Sequence, residues 1–135
     1  MNGAGIRWAL NWEAYVLSLY VPAPAHHARD VLDGSGPARI VLDVKRPIER
    51  RIIERAFRSG VERAAGADAV RIVESLAPFF ALLRDVKKDE QLVITWRRGT
   101  GLDVMIGDTR ATVPGDAPAR AVFGIWLGDR PVDPI

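Results

Sequence analysis

Residues 48–83 repeat their apolar positions at helical spacing, and on both sides of this block the period drops to 2. That switch limits the fold more than any other feature of the chain. Upstream, residues 38–44 (ARIVLDV) put Ile40, Leu42 and Val44 on one face and Arg39 and Asp43 on the other. Downstream, residues 91–97 (QLVITWR) put Leu92, Ile94 and Trp96 on one face. Each pattern is that of a half-buried strand. Strands grouped before and after a helical block predict an α+β fold, a mainly antiparallel sheet covered by helices.

The block itself divides. Ile48, Ile52, Ile53, Ala56, Phe57, Gly60, Val61 and Ala64 make one apolar stripe of about four turns, with Pro47 placed for a first turn and Gly66 as the stop. Asp68 is placed to cap a second helix carrying Val70, Val73, Leu76, Ala77, Phe80 and Leu83, which Pro78 kinks or divides. Residues 6–21 read as two strands with a bend near Asn11. The second is apolar at both parities, with Tyr15, Leu17 and Leu19 on one face and Val16 and Tyr20 on the other, which predicts cover on both sides. Pro22 and Pro24 end it, and residues 25–32 read as a short helix. After Gly99 and Gly101, Leu102, Val104 and Ile106 begin a hairpin that turns at Gly107-Asp108 and returns over residues 110–113. Pro114-Gly115-Asp116 opens a last helix, residues 117–127, ending at Gly128.

Composition narrows the function classes. A length of 135 residues suits a single domain, expected to fill residues 1–135. Nineteen Lys and Arg against 17 Asp and Glu give a net charge of +2, so no nucleic-acid partner is expected. Arginines beside glutamates, as in Glu49-Arg50-Arg51, read as a solvated helix face. The absence of cysteine removes disulfides and thiolate metal sites. No apolar run approaches the ~20 residues that span a bilayer, and no signal peptide is visible. The chain starts abruptly inside a strand-like pattern, as a clipped chain would. The compartment and oligomeric state stay open.

Few residues offer chemistry. "GAGIR" at residues 3–7 is not a dinucleotide fingerprint, because Trp8 stands where the third glycine belongs and a strand follows instead of a helix. His26 and His27 do not share a helix face, and no Cys or acidic pair completes a metal site, so neither metal nor cofactor is expected. Ser18, Ser35, Ser59 and Ser75 lie in no nucleophile elbow. Arg7 stands apart. If the hairpin centres on Asn11, Arg7 lies opposite Tyr15 on the same face. A guanidinium beside a phenol is a receptor for a carboxylate or enolate. Residue chemistry leaves this open beside a second reading, a surface arginine on an edge strand.

"GAGIR" (3–7), "YVLSLYVP" (15–22) and "GIWLGDRPVD" (124–133), in this order and spacing, resemble the chalcone isomerase-like family, and its bacterial members in particular. The resemblance covers nearly the whole chain. It implies a large antiparallel sheet with helices on one face and a ligand cleft between them. It also implies an absent N-terminal edge strand and C-terminal tail, and a periplasmic location if the N-terminus is clipped, otherwise a cytoplasmic one. Plant members of the family cyclise chalcones by intramolecular oxa-Michael addition, with an arginine stabilising the phenolate. Related members bind fatty acids, and hold the carboxylate with that arginine and a tyrosine. By position the arginine is Arg7. Tyr15, five residues before Tyr20, stands where isomerases have threonine and the fatty-acid binders have tyrosine. The isomerases' helical tyrosine and asparagine have no match in residues 48–65, and their C-terminal threonine falls on Ile125.

The resemblance therefore implies the non-catalytic branch, with Arg7 and Tyr15 gripping a fatty acid or similar apolar carboxylate. The helices of residues 48–65 and 70–83, with Trp8, Trp96 and Phe123, are expected to line a tunnel for its tail. One alternative is an intramolecular lyase acting on a phenolic enone, with Arg7 and Tyr15 as its catalytic groups. Another is a ligand-free envelope or interaction protein, which a cleft filled by its own side chains would favour.

Overall fold

The computed structural model describes residues 15–21, 32 and 36–127 in full and the backbone of residues 5–11. The expected helix over residues 25–32, the His26-His27 pair, Ser35 and the segment from Gly128 onward lie outside the described residues, Leu32 excepted.

Six antiparallel strands form one sheet in chain order: β1 (Gly5–Asn11), β2 (Tyr15–Val21), β3 (Ala38–Val44), β4 (Gln91–Arg97), β5 (Gly101–Ile106) and β6 (Thr109–Pro114). Between β3 and β4 run α1 (Arg50–Ala65), a 3-10 turn (Gly66–Asp68), α2 (Ala69–Ser75) and α3 (Ala77–Leu82), and α4 (Asp116–Leu127) follows β6. The α+β architecture with helices on one face follows directly from the registers. Leu17, Leu42, Leu92 and Ile106 stand side by side across β2–β5, and so do Leu19, Ile40, Ile94 and Val104. All eight are buried, so period 2 turns this face of the strands toward one layer of helices.

Three expectations need correction. Val16, Ser18 and Tyr20 are half-buried, so β2 is not covered equally on both sides. They share their face with the polar Arg39, Asp43 and Thr95, which belong to the side away from the helices. Helix α1 starts at Arg50, three residues after Pro47. Ile48 instead exchanges two backbone hydrogen bonds of 2.9 Å with Val86, because the chain leaving β3 is stapled to the segment entering β4. Val70 is 75% exposed, and α2 buries only Ile72 outright.

The helix ends otherwise follow the local chemistry. Gly66 closes α1 in a left-handed conformation (φ 58°). Asp68 makes no capping bond and pairs instead with Arg71 at 3.0 Å. Pro78 divides α2 from α3, standing in the first turn of α3 where its missing N–H is harmless. Helix α1 has no side-chain cap of its own. Asp85 Oδ1 accepts the Arg50 N–H at 2.7 Å from 35 residues away, fixing where α1 begins.

Candidate functional site

Between the sheet and the α1–α4 pair lies a small apolar cavity, lined on the sheet side by Tyr15, Leu42, Val44 and Leu92, and on the helix side by Phe57 and Trp126 among others. Its volume is about 20 Å³, room for roughly one water. Ile48 closes one side, held there by its bridge to Val86. The segment carrying Val86 is clasped in turn. Arg84 donates to both oxygens of Glu90 (3.0 and 2.9 Å), and the Lys87 N–H donates to Glu90 Oε1 at 2.7 Å. The Arg84 guanidinium, and after it the Lys87 N–H, hold the Glu90 carboxyl down to about 2.

Tyr15 supplies the cavity's phenol. Its position at the start of β2 turns it toward the helices, and it is 1% exposed. Trp126 Nε1 donates to its hydroxyl oxygen at 2.9 Å. Burial pushes the phenol above its ordinary range, and the indole's donation offsets only part of that. Tyr15 is therefore a neutral hydroxyl at physiological pH, able to donate a hydrogen bond and unable to serve as a base. Trp126 lies in the last turn of α4 and meets the Phe57 ring edge-on at 5.6 Å, and Phe57 meets Phe79 at 4.9 Å. An aromatic chain thus backs the phenol from α4 through α1 to α3.

Arg7 is not opposite Tyr15. The β1–β2 ladder pairs Asn11 with Val16 and Trp8 with Leu19, then shifts so that Ile6 pairs with Tyr20. Arg7 is the extra residue in this bulge. It therefore sits beside the Leu19–Tyr20 step, four to five residues up the ladder from Tyr15. At about 3.3 Å per residue that is roughly 15 Å along the strands.

The tunnel residues are also redistributed. Trp96 and Phe123 are buried beside each other (5.4 Å), away from the cavity, and Trp96 Nε1 donates to Asp116 Oδ1 at 3.0 Å. No residue of α2 or α3 lines the cavity. The indole that does line it, Trp126, carries no role in the sequence reading, although it lies within the "GIWLGDRPVD" motif. A tryptophan with buried neighbours on a helix needs an acceptor for its N–H, which is a signal in the sequence, but the acceptor's identity, Tyr15, comes from the structure. Ile125 also lines the cavity and packs against Gly60, where α1 and α4 meet closely. Of the serines, Ser75 Oγ donates to the Ile72 carbonyl at 2.7 Å within its own helix. Among the described residues no three His, Asp or Glu side chains converge on a metal position, and no helix is long and apolar enough to cross a membrane.

The chain is similar in structure to the fatty-acid-binding protein AtFAP1 of Arabidopsis thaliana, with a TM-score of 0.72 at 16% identity, over 96% of this chain and 79% of that one. At that identity the likeness carries the fold. No curated protein sequence matches the chain. The profile described as chalcone isomerase-like matches residues 1–134. With its sheet, one-sided helical layer and intervening cavity, the chain belongs to the chalcone isomerase-like family.

Proposed function

We propose that this protein binds a fatty acid or a similar apolar carboxylate between its sheet and helices, without catalysis. The observation that carries the reading is the cavity. It is apolar, it lies where sheet meets helices, and its wall includes the rings of Tyr15 and Trp126, which a hydrogen bond joins. In this reading Arg7 supplies the positive charge for the carboxylate, and Tyr15 donates to the carboxylate's second oxygen. The fold shared with a fatty-acid-binding protein supports the same class of ligand.

Ligand pockets ordinarily measure about 300–1,000 Å³. A cavity of about 20 Å³ therefore has to widen before an acyl chain enters. Movement of Phe57 and Trp126, which close it from the helix side, is the direct route. The small volume also favours a second reading, a ligand-free interaction protein whose cleft is filled by its own side chains. The lyase alternative gains nothing from the geometry, since Ile125 brings an apolar side chain to the cavity where a hydroxyl would be needed.

Isothermal titration with medium- and long-chain fatty acids decides between these readings. Saturable binding with a stoichiometry near one, weakened in Arg7→Ala, supports the ligand reading. Folded protein that binds none of them supports the ligand-free one.

A further inference from the structure

The charge of the chain is unevenly placed. Residues 45–63 hold seven Lys and Arg against three Glu, so this segment carries +4 where the whole chain carries +2, and the remainder is −2. The segment is the exit from β3 and most of α1, the elements that wall the cavity. Lys45, Arg46 and Arg50 are exposed at the start of α1, and Arg51, Arg55 and Arg58 follow at i, i+4 and i+7 along its exposed stripe. Arg51 pairs with Glu49 at 3.4 Å, largely in water, and Arg58 pairs with Glu54 at 3.5 Å, partly exposed. Lys45, Arg50 and Arg55 have no acidic partner among the described residues.

The wall of the cavity is most exposed at this face. Of the residues that line it, only Ala56 is half-buried while the rest are buried, and Ile52, one turn earlier, is half-buried too. Both stand next to the cationic stripe. Pro47 adds an exposed apolar residue within the basic loop.

From this juxtaposition, a cationic helix face beside the most exposed wall residue of an apolar cavity, we infer that α1 and the loop before it dock the protein on an anionic lipid surface. The inference rests on the fatty-acid reading, because it supplies the place from which that ligand is taken. A bilayer fits the face better than a nucleic acid does, since the cations flank the half-buried Ala56 and are interleaved with the apolar Pro47 and Ile52. Each cation near an anionic leaflet strengthens association about fivefold, and salt screens the effect.

Co-sedimentation tests it with vesicles of pure phosphatidylcholine and with an equal mixture of phosphatidylcholine and phosphatidylglycerol. The protein is expected on the mixed vesicles and not on the neutral ones, with association falling as salt rises. The double variant Arg50→Gln/Arg55→Gln should bind the mixed vesicles about 25-fold more weakly, and Arg50→Lys/Arg55→Lys should restore binding. Equal binding to both vesicles, no binding to either, an unchanged Gln variant, or tighter binding to a DNA duplex with the same variant sensitivity would each overturn the inference. Titration of the Gln variant with soluble fatty acid separates the two claims. Its affinity should equal that of the unaltered protein. If neither protein takes fatty acid while mixed vesicles still bind, the ligand reading fails and the docking face stands.

Discussion

Replacing Tyr15 by Phe removes one oxygen from the centre of the site and leaves the ring in place. The hydroxyl accepts the Trp126 N–H at 2.9 Å, and both residues are buried. In Tyr15→Phe the indole N–H keeps its position under the α1–α4 pair and loses this acceptor. A buried donor left unsatisfied costs about 1–3 kcal/mol, more than the net worth of a satisfied bond at about 0.5–1.5 kcal/mol. The cavity beside it is apolar and has room for roughly one water, so solvent can repay only part of the loss. We expect a destabilisation of about 2 kcal/mol. Urea unfolding followed by tryptophan fluorescence should then show a midpoint about 1 M lower with an unchanged slope. Removing the donor as well should recover part of the loss, so the double variant Tyr15→Phe/Trp126→Phe should cost less than the sum of the single changes. A Tyr15→Phe midpoint equal to that of the unaltered protein, or strict additivity in the cycle, would refute the reasoning that this bond holds the site closed.

Other consequences follow from particular contacts. A Cβ on Gly60 would stand 2.9 Å from both Cγ atoms of Ile125, so Gly60→Ala should lose about 1–2 kcal/mol in urea unfolding, and the double variant Gly60→Ala/Ile125→Ala, which removes both Cγ atoms, should cost less than the sum of the single changes. Gly101 has φ 138°, and a Cβ there would run into the Val113 carbonyl oxygen, so Gly101→Ala should cost about 3 kcal/mol or more by the same assay. Glu90 is held at about 2 against an ordinary 4.5, so its folded pKa is depressed. Its contribution is therefore complete above about pH 4.5 and is lost as the pH falls toward 2. With Glu90 a quarter exposed (26%), screening limits that contribution to about 1 kcal/mol. The midpoints of the unaltered protein and Glu90→Gln should differ by that amount at neutral pH and converge on acidification, and a constant difference down to pH 2 would contradict the clasp.

The sheet was legible in the sequence because period 2 leaves little freedom. Residues 38–44 and 91–97 alternate as strands and are strands, and the face that each buries is the face that the alternation names. The division of the central helices at Pro78 and the stop at Gly66 were legible for the same kind of reason, since each rests on one residue's backbone chemistry. What failed depended on long-range pairing. A bulge at Arg7 adds one residue to β1 without disturbing any hydrophobic pattern, and it moves Arg7 away from Tyr15. Ile48 fits the helical stripe by spacing, yet a partner 38 positions on, Val86, takes its backbone into a bridge. Val70 keeps the helical period and still faces solvent, because periodicity describes a stripe and not what lies against it. The family resemblance located Tyr15. The indole that holds it, Trp126, became visible only once the fold brought the last turn of α4 to the start of β2.

The central claim is that the space between sheet and helices receives an apolar carboxylate. Native mass spectrometry of the protein purified from cells, followed by titration calorimetry after delipidation, addresses it most directly. The account predicts a co-purified fatty acid at one per chain, and rebinding that weakens at least about tenfold in Arg7→Ala, since a charge-assisted pair is worth about 1.5–3 kcal/mol. A folded protein that carries no fatty acid and binds none on titration would contradict it.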